Sequence, residues 1–366
     1  MGPVVCRTLM QPSQPQRLRS LDQFRGFTVA AMFAVNFLAG FSAVHPWLQH
    51  HRTWCSLADL VMPMFLFAVG FSMRMAFLRH AEKAGRSEAM RMAVRRALAL
   101  ILLGLVVHGI DGRFATWDAL QQHGFDGFVS SFWRRSPFQA LVHIGVVTLW
   151  TLPVIGRSWR VQVVWMSMSI ALHVALSAAG WHAWLLDNAV IDGGALGFLS
   201  WTAPMLAGSL ACMRIQHVGA AAAVQQFVAA GACAMTIGYA LSCLTNGGVL
   251  AAPPLCEPWH PRDMWTMSQQ AASASYVMFG AGFSLLAYAV FVQQADLRAR
   301  ELPLFRTLGC NALAGYVLHG LVEDLVSPYA PNDSPLWWAL AMFAVFFAIT
   351  WSMLRGMERQ GLFVRL

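Results

Sequence analysis

His50 and His51 stand side by side, followed by Arg52, Thr53 and Trp54, with Asp59 a little further on. An imidazole exchanges its proton near neutral pH, and a carboxylate bonded to one ring nitrogen makes the other a better base or nucleophile. The bland alternative is two solvated loop histidines, with Asp59 as a cap favoured by a helix dipole. No metal is expected, because adjacent loop residues point apart and no cysteine or carboxylate cluster completes a coordination sphere. Asn36 lies in the apolar run just before the histidines. Such an amide either bonds a neighbouring helix or donates to a developing oxyanion.

Other histidines fall inside or near the ends of apolar runs: His108, His143, His173 and His319. His143 and His319 follow the polar elements PFQALVH and GCNALAGYVLH, the second containing Asn311, and these mark faces turned to a bundle interior. A further set is cationic. Arg25 either pairs with Asp22 one helical turn away or points into a vestibule, where a guanidinium holds phosphate by paired hydrogen bonds. Arg17, Arg19, Arg74, Arg91, Arg95 and Arg96 are candidates for the same task.

The elements that carry these residues are membrane helices. The composition is 57% hydrophobic and 11% charged with mean hydropathy +0.53, against about 25% charged in soluble domains. Unbroken apolar runs in a bilayer must be helices, because no water is present to satisfy an open backbone, and each crossing takes roughly 20 residues. Ten runs qualify: 23–44, 57–78, 93–111, 137–156, 161–180, 195–213, 219–244, 270–293, 307–327 and 335–354. The expected fold is an all-α polytopic bundle. Of the 25 Lys and Arg residues, 20 fall on one side of this arrangement and five on the other. By the positive-inside rule both termini are then cytoplasmic and the histidine pair is external.

The net charge of +8 belongs to that inner face and its anionic headgroups, so no nucleic-acid partner is implied. Residues 1–20 read as a short polar cytoplasmic tail without a signal peptide, and 21–366 as a single membrane domain. No inverted repeat is evident, which disfavours the common secondary-transporter plans. Seven cysteines show no CxxC spacing; Cys55, Cys243 and Cys256 lie near the outer face, where an oxidising compartment could pair two of them. The Gly- and Ala-rich run 219–244 could pack against a second copy.

The chain resembles the family of the lysosomal heparan-α-glucosaminide N-acetyltransferase and its bacterial relatives, within the wider transmembrane acyltransferases. The resemblance rests on SLDQFRGFTVAAMFAVN, the histidine loop and WCSLADLVMPMFLFAVG, then PFQALVHIGVVTLW, the DGG element at Asp192 with GFLSWTAPMLAGSLA, MWTMSQQAASASYVMFGAGFSL and FRTLGCNALAGYVLHGLV. It implies acetyl transfer from cytoplasmic acetyl-CoA to a sugar acceptor outside the cell, in a bacterial inner membrane. The family's reacting histidine maps onto His50 or His51, and its site asparagine onto Asn36. The interval to Asp59 is one or two residues shorter than the family's, so both histidines stay in play. No counterpart of the lysosomal members' large luminal domain is expected in the residues ahead of Arg17.

On that reading His50, His51, Asn36 and Asp59 are catalytic; Arg19, Arg25, Arg74, Arg95 and Arg96 hold the CoA phosphates; Trp54, Asp192, His143, Asn311 and His319 meet the acceptor. Outer-loop tryptophans, Trp117, Trp133, Trp181, Trp184 and Trp259, could stack on a sugar, although such rings also form ordinary interface belts. The alternative is a proton-coupled transporter or permease for a small polar solute or lipid-linked sugar, titrating through midplane groups such as His108 and His143. A relative that kept the fold and lost the activity is a third possibility.

Overall fold

A computed structural model of the chain describes residues 18–108, 114–132, 138–188, 190–244, 250–259 and 261–364. Among these residues the secondary structure is helical and no strand occurs. In chain order the helices are α1 (Arg19–Leu38), α2 (Val61–Ala84), α3 (Arg86–His108), α4 (Trp117–Phe132), α5 (Ala140–Thr151), α6 (Trp159–Leu176), α7 (His182–Asp187), α8 (Phe198–Ser242), α9 (Ala274–Phe291), α10 (Pro303–Cys310), α11 (Ala312–Val326) and α12 (Leu336–Arg359). Five helical stretches are long and apolar enough to cross a membrane: 58–84, 159–187, 194–242, 274–297 and 336–359. The protein is an integral membrane protein.

Local chemistry sets several of the ends. Gly85, at φ 88°, turns the chain between α2 and α3, Ser273 caps α9 by accepting the Tyr276 N–H, and Pro303 opens α10 where its missing N–H is not needed. α8, at 45 residues, is twice the length of a crossing and breaks at Gly219 (φ 78°, ψ 167°). Arg214 reaches over this break to bond Gln226.

α2 lies at the centre, against α8, α3, α9, α1 and α5, while α8 packs along α9 and α1 along α10. The α2–α8 contact is backbone to backbone. A Cβ on Gly70 would stand 1.8 Å from the Met205 carbonyl oxygen, and one on Gly208 1.9 Å from that of Phe67. Only glycine permits this approach. Around it Phe24, Phe67, Phe71 and Tyr288 are fully buried, with Phe24 edge-on to both Phe67 and Tyr288.

Two expectations from sequence change here. The run 307–327 is two helices, because Asn311 leaves helical geometry (φ −124°, ψ 40°) between α10 and α11. The stretch between the runs 93–111 and 137–156, in which no helix was expected, contains α4, whose Trp117, Leu120, Phe125 and Phe128 are exposed. Its periodicity is interrupted by Gly124 at φ 56°, which hid the helix within a loop-like composition. Residues 1–17, Asp111, Arg113, Trp133, Arg134 and Arg135 lie outside the described residues, as does the side chain of His108.

Candidate active site

Asp59 sits in a helical turn, Ala58–Leu60, immediately ahead of α2, and is fully buried. Its Oδ1 is 2.8 Å from His50 Nδ1. Its Oδ2 accepts the Ser56 backbone N–H at 2.8 Å and lies 3.0 Å from the Ser56 hydroxyl, whose proton is shared with the Gln49 carbonyl. Tyr276, fully buried on α9, donates its hydroxyl to the Asp59 carbonyl oxygen. A carboxylate with so many donors keeps a single orientation, and it therefore fixes the ring and the tautomer of His50: Nδ1 carries a proton toward Asp59, and Nε2 is the exchangeable nitrogen.

Burial pulls the His50 pKa down, but the hydrogen bond and charge of Asp59, helped by the charge of Asp192 and the nearby Gln269 amide, outweigh it and leave the imidazole above its ordinary value. The His50 side chain is 45% exposed, so an acceptor has access to it. His51 is held differently. Its Nε2 donates to the Pro46 carbonyl at 2.7 Å, and its ring stacks on Trp54 at 4.0 Å between centroids and 18° between planes. Trp54 is itself buried, so its face is covered by His51. Burial pushes the Cys55 thiol well up, with Asp59 adding to the effect, which makes it a poor nucleophile. All six described cysteines, Cys55, Cys243 and Cys256 among them, are free thiols.

Asp192 is buried in the loop ahead of α8 and has a left-handed backbone, φ 55°. Trp201 Nε1 donates to its carbonyl at 2.8 Å, and Gln269 Nε2 donates to its Oδ1 at 3.1 Å. Gly197 permits this packing, since a Cβ there would stand 2.0 Å from the same carbonyl oxygen. That Cβ would also lie 3.1 Å from a ring carbon of His143, which places His143 beside the Asp192 loop. His143 is buried, and its Nε2 has no partner among the described residues.

Asn36 belongs to a different pair. Its Nδ2 donates to His319 Nε2 at 3.0 Å, and His319 bonds the Tyr316 carbonyl through Nδ1. These two residues therefore join α1 to α11. Asn311 is buried and ties down the C-terminal segment, donating to the Leu362 carbonyl at 3.1 Å and accepting the Val364 N–H at 3.2 Å.

At the other end of α2, about 30 Å away at 1.5 Å per residue, a cavity of about 680 Å³ opens between α1, α2, α3, α5 and α11. Arg25, Arg79, His80 and Arg96 line it, as does Asp22. Along α2 the lining runs from His80 to Phe65, a depth of roughly 22 Å. Deeper in it meets Ile144, Thr148 and Tyr316.

The other predicted arginines lie off this lining. Arg74 is buried and donates to the Ile155 and Arg157 carbonyls, Arg19 pairs with Glu301 at 3.2 Å, and Arg95 is exposed on α3. Of the outer tryptophans, Trp181 and Trp184 stack on each other at 4.6 Å, while Trp117 and Trp259 are exposed. Among the described residues no group of three or more His, Cys, Asp or Glu side chains is placed to hold a metal. Gln269, Ser56 and Tyr276 were missed from sequence. Ser56, three residues before Asp59, was the most legible of them, because serine commonly bonds nearby polar groups in a turn.

A membrane helix bundle with a carboxylate–imidazole pair at one end and an arginine-lined cavity at the other has the layout of a group-transfer enzyme. The family model described as heparan-alpha-glucosaminide N-acetyltransferase, catalytic, matches residues 17–238, and the chain belongs to that transferase family. It is 24% identical over 184 residues to heparan-alpha-glucosaminide N-acetyltransferase of Mus musculus and 30% identical over 109 residues to that of Homo sapiens. The matched segments cover 44% and 29% of this chain, and only 27% and 16% of the two relatives.

Proposed function

We propose that this chain transfers an acetyl group from acyl-CoA to a sugar acceptor across a bacterial cytoplasmic membrane. The arginine end faces the cytoplasm, the histidine end faces outward, and ten crossings leave both termini inside. The observation that carries the reading is the His50–Asp59 pair at 2.8 Å, with His50 accessible, at the opposite end of α2 from an arginine-lined cavity. Arg25 and Arg96 would bind the CoA phosphates by charge-assisted hydrogen bonds, and the long cavity would take the pantetheine arm.

His50 is the base. With Nδ1–H bonded to Asp59, its Nε2 lone pair accepts the proton of the acceptor amine or hydroxyl as that group attacks the thioester carbonyl. The carbon–sulfur bond breaks, CoA leaves as thiolate, and the acceptor keeps the acetyl group. An acetyl-imidazole on Nε2 followed by attack of the acceptor gives the same balance in two steps. His51 closes the loop onto Trp54, and Asn36 with His319 holds α1 to α11 beside this path. The single membrane domain reads as 21–366.

The test is label transfer from radiolabelled acetyl-CoA to glucosamine oligosaccharides by the purified protein and by His50→Ala, His51→Ala and the double variant. Transfer is expected to collapse with His50; unaltered transfer in the double variant overturns the assignment. The buried, unpartnered His143 Nε2 favours a second reading, a proton-coupled carrier. Acetyl-CoA separates the two, because a ligand that binds the native state must raise its melting temperature, and no shift at saturation selects the carrier.

A further inference from the structure

Asn311 is a fully buried amide inside an apolar run, and the helix stops at it, with φ −124° and ψ 40°. Its Nδ2 donates to the Leu362 carbonyl at 3.1 Å, and its Oδ1 accepts the Val364 N–H at 3.2 Å. Both ends of one side-chain amide are thus bonded to the backbone on either side of Phe363, much as a neighbouring strand would bond it. The chain is brought to that place by Gly361, which turns it after α12 at φ 70°, and by the Leu362 N–H closing on the Met357 carbonyl at 2.9 Å.

The end of α12 is also fixed to α10. Glu358 accepts the Thr307 hydroxyl at 2.6 Å and pairs with Arg306 at 3.3 Å. α10 in turn lies on α1 backbone to backbone: a Cβ on Gly309 would stand 2.0 Å from the Asp22 carbonyl oxygen, and one on Gly26 1.8 Å from that of Phe305. These contacts bring residues 361–364 to the inner end of α1, where Asp22 and Arg25 line the cavity. Phe363 and Val364 line the same cavity, with Arg96 across from α1 on α3. Phe363 is 40% exposed. One end of the cavity therefore combines guanidinium groups with an aromatic residue on a clamped backbone. Acyl-CoA carries its phosphates and its adenine together at one end, with the pantetheine arm leading away. A guanidinium suits the phosphates, and an aromatic face suits the base.

We propose that Phe363 stacks on the adenine of the acyl donor and that Asn311 is the residue that positions it. The inference rests on the reading of this cavity as the acyl-CoA site. A segment without the clamp would lose backbone freedom each time the ligand bound, and the two bonds from Asn311 remove that loss in advance. Asn311 acts through the backbone of 362–364, and Phe363 makes the contact.

Binding is read from the melting temperature of the detergent-solubilised full chain, titrated with CoA and, in parallel, with pantetheine, which lacks the nucleotide. Phe363→Leu is expected to weaken CoA about tenfold and leave pantetheine unmoved, while Phe363→Trp, which keeps an aromatic face, binds CoA as the wild type does. Asn311→Leu and Val364→Pro should show the same loss for CoA alone, the second by removing the N–H that Asn311 accepts. If Asn311→Leu fails to fold, Val364→Pro carries that arm. Unchanged CoA binding in Phe363→Leu overturns the proposal, and so does equal weakening of CoA and pantetheine, which would make Phe363 a wall with no preference for the base. A loss in Phe363→Leu with none in Val364→Pro overturns the positioning role of Asn311. A wild type that CoA does not stabilise removes the donor reading of the cavity and this proposal with it. A stabilised wild type with unmoved variants removes the roles of Phe363 and Asn311 alone.

Discussion

The two ends of α2 hold their polar side chains in opposite ways. Each polar atom of Asp59 has an assigned partner, with Ser56, Tyr276 and His50 converging on one buried residue. Around Arg79 the helix faces a cavity of about 680 Å³, with Arg25 half-buried and Arg96 exposed at its margin. A proton transfer demands one tautomer in one orientation, and a low-dielectric site rewards groups fixed in advance. A long flexible ligand with phosphates, as the proposed donor is, demands room and a cationic margin. On the proposed function, the contrast puts specificity for the reaction at one end and affinity for the donor at the other.

The largest expected effect breaks the comparison if it fails. His50→Ala should reduce acetyl transfer by about 10²–10⁴-fold, the usual worth of a positioned general base, whereas His51→Ala should stay within a few-fold because its ring is engaged by Pro46 and Trp54. Equal losses in steady-state assays would mean that the bond to Asp59 does not distinguish the neighbours.

Asp59→Asn comes next, at about 10–100-fold, the size of loss that follows removal of a metal-bound histidine's hydrogen-bond partner. It also moves the pH dependence in a defined direction. The folded-state pKa of His50 is raised, so the base gains activity as pH rises through that value, and losing the carboxylate should shift the acid limb of kcat/KM to lower pH. The same group links to stability with a sign. A raised folded pKa contributes stability that is fully present below the ordinary histidine value near 6.5 and is lost as pH rises through the folded pKa. Melting curves of wild type and Asp59→Asn should therefore differ more at pH 6 than at pH 9. An acid limb that stays in place would detach Asp59 from the reaction.

At the opposite end, Arg25→Ala and Arg96→Ala should each raise KM for acetyl-CoA by roughly tenfold with kcat little changed, as the loss of one charge-assisted bond predicts. Arg74→Ala and Arg95→Ala should leave KM alone, and Arg74→Ala should cost stability, because its guanidinium holds the Ile155 and Arg157 carbonyls. A KM effect confined to Arg74 would mean that CoA enters elsewhere.

The helical class was legible because a bilayer leaves an apolar run only one solution, and five helical stretches among the described residues are long and apolar enough to cross a membrane. Where the reading blurred, the cause was local. Asn311 ended a helix inside an apolar run, and α4, interrupted by Gly124, was too polar to register. At the site, sequence brought His50 near Asp59 because nine positions separate them, and no more. It could not choose between adjacent histidines, since the choice depends on which ring turns back to Pro46. Arg74 and Arg79, five residues apart, sit about 140° apart around α2, so only one of them lines the cavity. The partner of Asn36 lies 283 positions away, and Gln269 carries no charge to draw attention.

The smallest effect is the sharpest test of how the cavity is used. Thr148 is buried on α5, lines the cavity, and its hydroxyl has no partner among the described residues. A hydroxyl left so costs stability until a ligand satisfies it. Thr148→Val keeps the shape and removes the hydroxyl, so the ligand-free protein should melt at the same temperature or slightly higher. The stabilisation produced by saturating CoA should fall by about 1 kcal/mol, one neutral hydrogen bond. Opposite signs in the two measurements are what a group reserved for the pantetheine amides would give. A variant that loses ligand-free stability and keeps the full CoA shift would show that Thr148 serves the fold, and that the depth of the cavity contributes room without recognition.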